Sequence, residues 1–94
     1  MKLDGIIWLR DIADKLEFKH NVTMEEVEQA LNNKPKFRFV EKGERKDEDV
    51  CMALGRTDSG RYLAILIIYK RTKEALILSA REMADKERKQ YGKK

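Results

Sequence analysis

One histidine, one cysteine and one proline are all that the 94 residues hold of those three types, and each scarcity excludes something. A lone Cys51 cannot form an internal disulfide, and with His20 as the only imidazole there are too few soft ligands for a zinc site. An activated serine would need a histidine base, and only His20 is on offer. There is no Gly-rich phosphate loop and no G-x-S-x-G elbow. No apolar run approaches the roughly 18 residues a membrane span requires, and no stretch reads as a signal peptide. A cytosolic location without membrane contact is therefore expected, with no cofactor and no metal.

Charge, by contrast, is plentiful. Forty per cent of the residues are charged, yet 41% are hydrophobic and fall in periodic blocks, so the chain reads as a folded unit rather than a disordered one. One domain over residues 1–94 is expected, with a small core, since a chain this short buries only about 60–65% of its unfolded surface. The net charge of +4 is equalled by the tail alone, where Lys86, Arg88, Lys89, Lys93 and Lys94 face the single acid Glu87. A frayed basic tail over 86–94 is the expectation. Such a tail suits both a solvated helix end and a polyanionic partner.

The organising stretch is Arg61 to Tyr69, apolar on both faces of any strand it could form, as in a central strand covered on both sides. A polar break from Lys70 to Glu74 leads back through Ala75 to Leu78, which predicts an antiparallel hairpin. Upstream, Ile6 to Trp8 reads as a short edge strand. Asp11 is the expected N-cap of a helix with Ile12, Ala13, Leu16 and His20 on its packed side, closed by Asn21 in the left-handed conformation. Thr23 and Glu26 have capping-box spacing, and Val22 with Val27 forms a hydrophobic staple. Met24, Val27, Ala30 and Leu31 make that second helix's apolar stripe, and Pro35 stops it. Phe37 to Val40 reads as a strand, Glu41 to Glu48 as a loop, Val50 to Arg56 as a strand, and Asp58-Ser59-Gly60 as a turn. Ser79 and Glu82 have capping-box spacing too, so the last helix is expected to open at Ser79, with Arg81 in its first turn. The resulting α+β layout is a short strand, two helices, a four-strand antiparallel meander and a C-terminal helix, with helices against one face of the sheet.

Arginines fall at the strand ends: Arg56, Arg61, Arg71 and Arg81, with Tyr62, Tyr69 and Tyr91 nearby in sequence. Guanidinium forks hold phosphate and aromatic rings stack on bases, so this inventory suits single-stranded RNA. Metal-free cleavage by the RNA's own 2′-hydroxyl needs little more than in-line geometry, a cation beside the phosphorus and modest proton transfer.

Three blocks carry a resemblance. Lys19-His20-Asn21-Val22-Thr23-Met24-Glu25-Glu26-Val27, downstream of Trp8, is similar to the "KHGV(S/T)xEEA" stretch of the BrnT toxins. Gly60-Arg61-Tyr62-Leu63 and the run Ile77 to Met83 followed by Glu87, Arg88 and Tyr91 resemble that family's later motifs, so the likeness spans Trp8 to Tyr91. It implies a RelE-like fold and the ribonuclease toxin of a type II toxin–antitoxin pair, one that halts translation. It also implies a cognate ribbon-helix-helix antitoxin, contact with operator DNA only through that antitoxin, and a homodimer or a heterotetramer with it. Arg56, Arg61 and Arg81 fall in matching blocks and are carried over as catalytic, phosphate-binding positions. Arg71, Arg88, Tyr91 and Lys46 are the RNA-binding candidates, and His20 and Glu48 the candidate acid and base. Departures are Asn21 in place of the family's usual glycine, Glu17 where many members have asparagine, and a loop over 41–48 in which acids alternate with bases.

Two other readings stay open: an inactive relative that only binds RNA or a protein, and a DNA-binding subunit. The last is the weakest, because no basic recognition helix is evident.

Overall fold

The computed structural model describes residues 3–93. Its elements run β1 (Gly5–Ile7), α1 (Ile12–His20), α2 (Met24–Asn32), β2 (Lys36–Lys42), β3 (Asp49–Arg56), β4 (Tyr62–Tyr69), β5 (Glu74–Glu82) and α3 (Asp85–Gly92). The five strands form one sheet in the order β1-β5-β4-β3-β2. β1 runs parallel to β5, and the other pairings are antiparallel. β4 is central, as its two-sided apolar pattern requires.

One face is built from Cys51 and Ala53 of β3, Leu63, Ile65 and Ile67 of β4, and Ala75, Ile77 and Ala80 of β5. α1 and α2 cover it with Leu16, Val27, Ala30 and Leu31, and Val22 between them is fully buried. Cys51 is thus a packed thiol, and burial together with the Asp49 charge raises its pKa. The linker between the helices obeys its local chemistry. Asn21 sits in the left-handed region at φ 54°, and its N–H closes α1 on the Leu16 carbonyl. The Thr23 hydroxyl accepts from Glu26 N–H at 3.1 Å while Glu26 Oε1 accepts from Thr23 N–H at 3.0 Å, completing the capping box. α2 then lies directly on the backbone of β3, and a Cβ at Gly55 would stand 2.4 Å from the Ala30 carbonyl oxygen. Only glycine permits that approach.

Several expectations need correction. Asp11 has near-helical φ/ψ and makes no side-chain cap hydrogen bond; Ile12 N–H bonds instead to the Leu9 carbonyl, so a turn starts α1. His20 is exposed, because the packed side of α1 ends at Leu16. Met24 is exposed as well, leaving Val27, Ala30 and Leu31 as the buried stripe of α2. β2 continues to Lys42, shortening the loop.

The largest correction concerns the end of β5. Ser79 to Glu82 remain strand, with Ser79 opposite Leu66, Ala80 opposite Ile65, Arg81 opposite Ala64 and Glu82 opposite Leu63. Ala80, almost wholly buried, would leave the core if a helix began at Ser79. A bulge at Leu66/Ile67 shifts the register ahead of this run. α3 therefore starts at Asp85 and folds onto the second face, where Tyr91 packs against the Leu54, Ala64 and Met83 cluster together with Met52 and Tyr62. Helices thus occupy both faces. Toward the opposite end, Val50, Ile68 and Leu76 floor a depression of about 610 Å³, rimmed by the 41–45 segment and by the Glu48 to Lys70 ion pair.

Candidate functional site

The β3–β4 turn and α3 meet at one end of the sheet. Thr57, buried, ties the turn: its N–H donates to the Arg61 carbonyl at 2.8 Å, its hydroxyl accepts from Arg61 N–H at 2.9 Å, and its carbonyl accepts from Gly60 N–H at 2.9 Å. Gly60 has φ 96°, and a Cβ there would come 3.1 Å from Arg56 Nη2. The C-terminal part of α2 holds the turn from the other side. Gln29 Oε1 accepts from Asp58 N–H at 3.1 Å, and Asn33 Nδ2 donates to the Arg56 carbonyl and to Asp58 Oδ1, both at 2.9 Å.

On this frame stand two guanidinium groups. Arg56, last in β3, places its Cζ 5.1 Å from the Tyr62 ring centre, and Arg88 of α3 places its Cζ 4.4 Å from the same ring. Tyr62 meets Tyr91 edge to face, with centroids 5.9 Å apart, and Lys36 Nζ lies 5.9 Å from the Tyr91 ring centre. Both arginines are exposed, and among the described residues neither guanidinium makes a hydrogen bond or an ion pair. Two depressions share Tyr91. One, about 460 Å³, is lined by Arg56, Asn33, Asp58 and the turn; the other, about 470 Å³, by Tyr62, Arg88, Asp85 and Lys89. Lys36 also donates to the carbonyls of Gln90 and Lys93, and Arg38 donates to Gln90 Oε1 at 3.2 Å, so β2 fastens the end of α3.

Arg61 and Arg81 have different surroundings. Arg61 is mostly buried, donating to Glu26 Oε2 at 3.0 Å, to Glu82 Oε1 at 2.9 Å and to the carbonyls of His20 and Asn21 at 3.2 and 2.5 Å. Burial alone would lower its pKa, but the bonds from Glu26 and Glu82 outweigh it and raise it. Glu26 is the mirror image: burial would raise its pKa, and the Thr23 N–H and the Arg61 guanidinium bring it below the usual value. Arg61 thus pins the α1–α2 linker to the sheet. Arg81 grips Glu87 fork to fork, at 2.6 and 2.8 Å, and the Glu87 carboxylate also accepts from Ala84 N–H at 2.7 Å, capping α3. Those bonds, those of Arg81 foremost, lower the Glu87 pKa against the opposing effect of burial.

The remaining candidates are scattered. Arg88 and Tyr91 belong to the Arg56 end. Lys46 lies exposed in the β2–β3 loop and Arg71 exposed in the β4–β5 turn, at the opposite end of strands that run from the Arg56↔Tyr62 pair to the Asp49↔Tyr69 pair. Seven residue steps put those ends roughly 24 Å apart. Glu48 is there too, half-buried and bonded to Lys70 at 3.0 Å. His20 stands at the exposed end of α1, its carbonyl rather than its ring bound by Arg61. Asn33, Asp58, Lys36 and Arg38 escaped sequence reasoning because nothing local joins them to Arg56 or to α3. Tyr62 was legible only as an aromatic following Arg61.

Among the described residues no group of three His, Cys, Asp or Glu could hold a metal ion, and no helix is long and apolar enough to cross a membrane. A search among curated proteins returns no match. The family comparison is positive: the profile described as "Ribonuclease toxin, BrnT, of type II toxin-antitoxin system" matches residues 8–87, from Trp8 through the Glu87 clamp. By that match the chain belongs to the BrnT family of type II toxin–antitoxin ribonuclease toxins, a membership that implies an antitoxin partner.

Proposed function

We propose that this toxin cleaves RNA without a metal ion, using the Arg56, Arg88, Tyr62 and Tyr91 cluster. The observation that carries the proposal is that, of the three arginines drawn from the family motifs, Arg61 and Arg81 are consumed by carboxylates while Arg56 stays unpaired beside Arg88 and two aromatic rings. The two free forks hold the phosphate and the rings stack the flanking bases. The RNA's 2′-hydroxyl attacks phosphorus in line and the 5′ oxygen leaves, giving a 2′,3′-cyclic phosphate and a 5′-hydroxyl end. Guanidinium charge stabilises the non-bridging oxygens as negative charge builds on them.

The rest of the proposal goes beyond the family match and is supported by the motif resemblance alone. The toxin is a RelE-like domain that acts in the cytoplasm and halts translation, and a ribbon-helix-helix antitoxin neutralises it. The pair represses its own promoter through the antitoxin. The test is cleavage of defined RNA, free and on translating ribosomes, in excess chelator. Products bearing cyclic phosphate ends are expected; cleavage that stops under chelation and returns with a divalent ion sinks the metal-free mechanism.

A further inference from the structure

The depression beside Arg56 holds an acid that does not neutralise the arginine. Asp58 and Arg56 line the same space, yet among the described residues no ion pair joins them. An exposed carboxylate beside a phosphate-binding cation repels the very group the cation attracts, so a role in holding phosphate does not account for it. Its placement is fixed: Gln29 accepts from its backbone N–H, and Asn33 donates to its Oδ1. Both partners of the Asn33 amide nitrogen, the Arg56 carbonyl and Asp58 Oδ1, are acceptors, so both amide hydrogens are spent and only Asn33 Oδ1 remains. The polar atoms left over on Asp58 and Asn33 are therefore acceptors.

We infer that this depression is a base-reading subsite that selects guanine. A guanine's Watson–Crick edge presents two adjacent N–H donors, at N1 and N2, and a carboxylate takes both at once. Adenine and cytosine each set a single amino donor beside an acceptor, and uracil flanks its one N–H with two acceptors. Only guanine satisfies a carboxylate in both positions, and single-stranded RNA exposes that edge. Arg56 on the rim holds the adjoining phosphate and Tyr91 forms the wall against which the base lies. Position is thus set by the phosphate contact, and identity by the acid. The inference rests on the ribonuclease reading above and adds its substrate preference.

The test is a set of oligonucleotides identical except for the base at the cleaved step: guanine, inosine, adenine, cytosine or uracil. It is paired with 5′-end mapping of RNA from cells induced for the free toxin, so that cleavage confined to ribosomes is also counted. Wild type should cut beside guanine about 10- to 100-fold faster than beside the other standard bases, the range of one good bidentate contact. Inosine, lacking the N2 amino group, should fall between. Asp58→Asn replaces one acceptor with a donor, and the guanine-to-adenine rate ratio should drop to about one. Asp58 is exposed, and a thermal melt confirms that the variant folds. Equal cutting at all four bases by wild type, or an undiminished guanine ratio in Asp58→Asn, overturns the subsite while leaving the ribonuclease reading intact. Absence of any cleavage by wild type in both assays overturns both.

Discussion

Arg81 and Glu87 face each other fork to fork across the junction of β5 and α3, and the same Glu87 carboxylate receives the Ala84 N–H. Glu87 is buried, whereas the Arg81 side chain is 44% exposed. Arg81→Ala would strand a buried carboxylate, so it should destabilise the fold by about 1–2 kcal/mol, the partial exposure holding it below a fully buried pair. In a domain of this size that lowers Tm by roughly 5–15 °C. A double-mutant cycle with Glu87→Gln should show strong coupling; a melt unchanged from wild type would mean the clamp contributes nothing.

Arg61→Ala should cost more, on the order of 2–4 kcal/mol in chemical denaturation, because it unpairs Glu26 and Glu82 and abandons two carbonyls. Arg61→Lys should recover only part, since an ammonium cannot reproduce the fork. Full recovery by lysine would reduce the contact to charge alone.

Acid should weaken the protein through both clamps. Glu26 and Glu87 have folded-state pKa values below their unfolded ones, so the stability they add is fully present above the ordinary glutamate range, near pH 4.3, and is lost as pH falls through the lowered values. Melts between pH 7 and pH 2 should fall mainly below about pH 4.5. In Glu87→Gln the acid-dependent loss should be visibly smaller; an equal loss would place the acid sensitivity elsewhere.

Arg56→Ala and Arg88→Ala should leave the melt within about 0.5 kcal/mol of wild type, as expected of surface changes. RNA cleavage should nevertheless drop by about 100- to 1,000-fold, the scale of losing one preorganised donor. Arg71→Ala, at the far end of the sheet, should leave cleavage unchanged. The reverse pattern would move the RNA site to the β4–β5 turn.

Gly55→Ala tests the packing of α2. Its Cβ would overlap the Ala30 carbonyl, so α2 must shift, and a loss of about 1–3 kcal/mol is expected from calorimetry. The Arg56 end should suffer with it, because Gln29 lies on that helix and Asn33 is its C-cap.

What the sequence disclosed depended on how local each feature is. The Thr23 capping box, the Val22 and Val27 staple and the left-handed Asn21 are set within a few residues, and each stands as read. Strand order around β4 was legible from its two-sided apolar pattern. Ser79 and Glu82 offered the same capping spacing, but ladder pairing with β4 and burial of Ala80 overrode it, and the start of α3 moved to Asp85. Arg81 consequently lies in β5 and not in a first helical turn. The pairing of Arg61 and Arg81 with acids, and the gathering of Asn33 and Asp58 around Arg56, depend on contacts across the fold that no spacing announces.

α3 is only eight residues long, too short to persist as a free helix in water, and its docking rests on Tyr91, the Glu87 clamp and the grip of Lys36 and Arg38. Arg88 and Tyr91 therefore stand beside Arg56 only while the helix is seated. At the proposed RNA site, the apparent affinity would scale with the docked fraction. If the proposed site carries the activity, whatever holds the helix away from the sheet would silence the toxin without touching a single residue on the sheet side of that site.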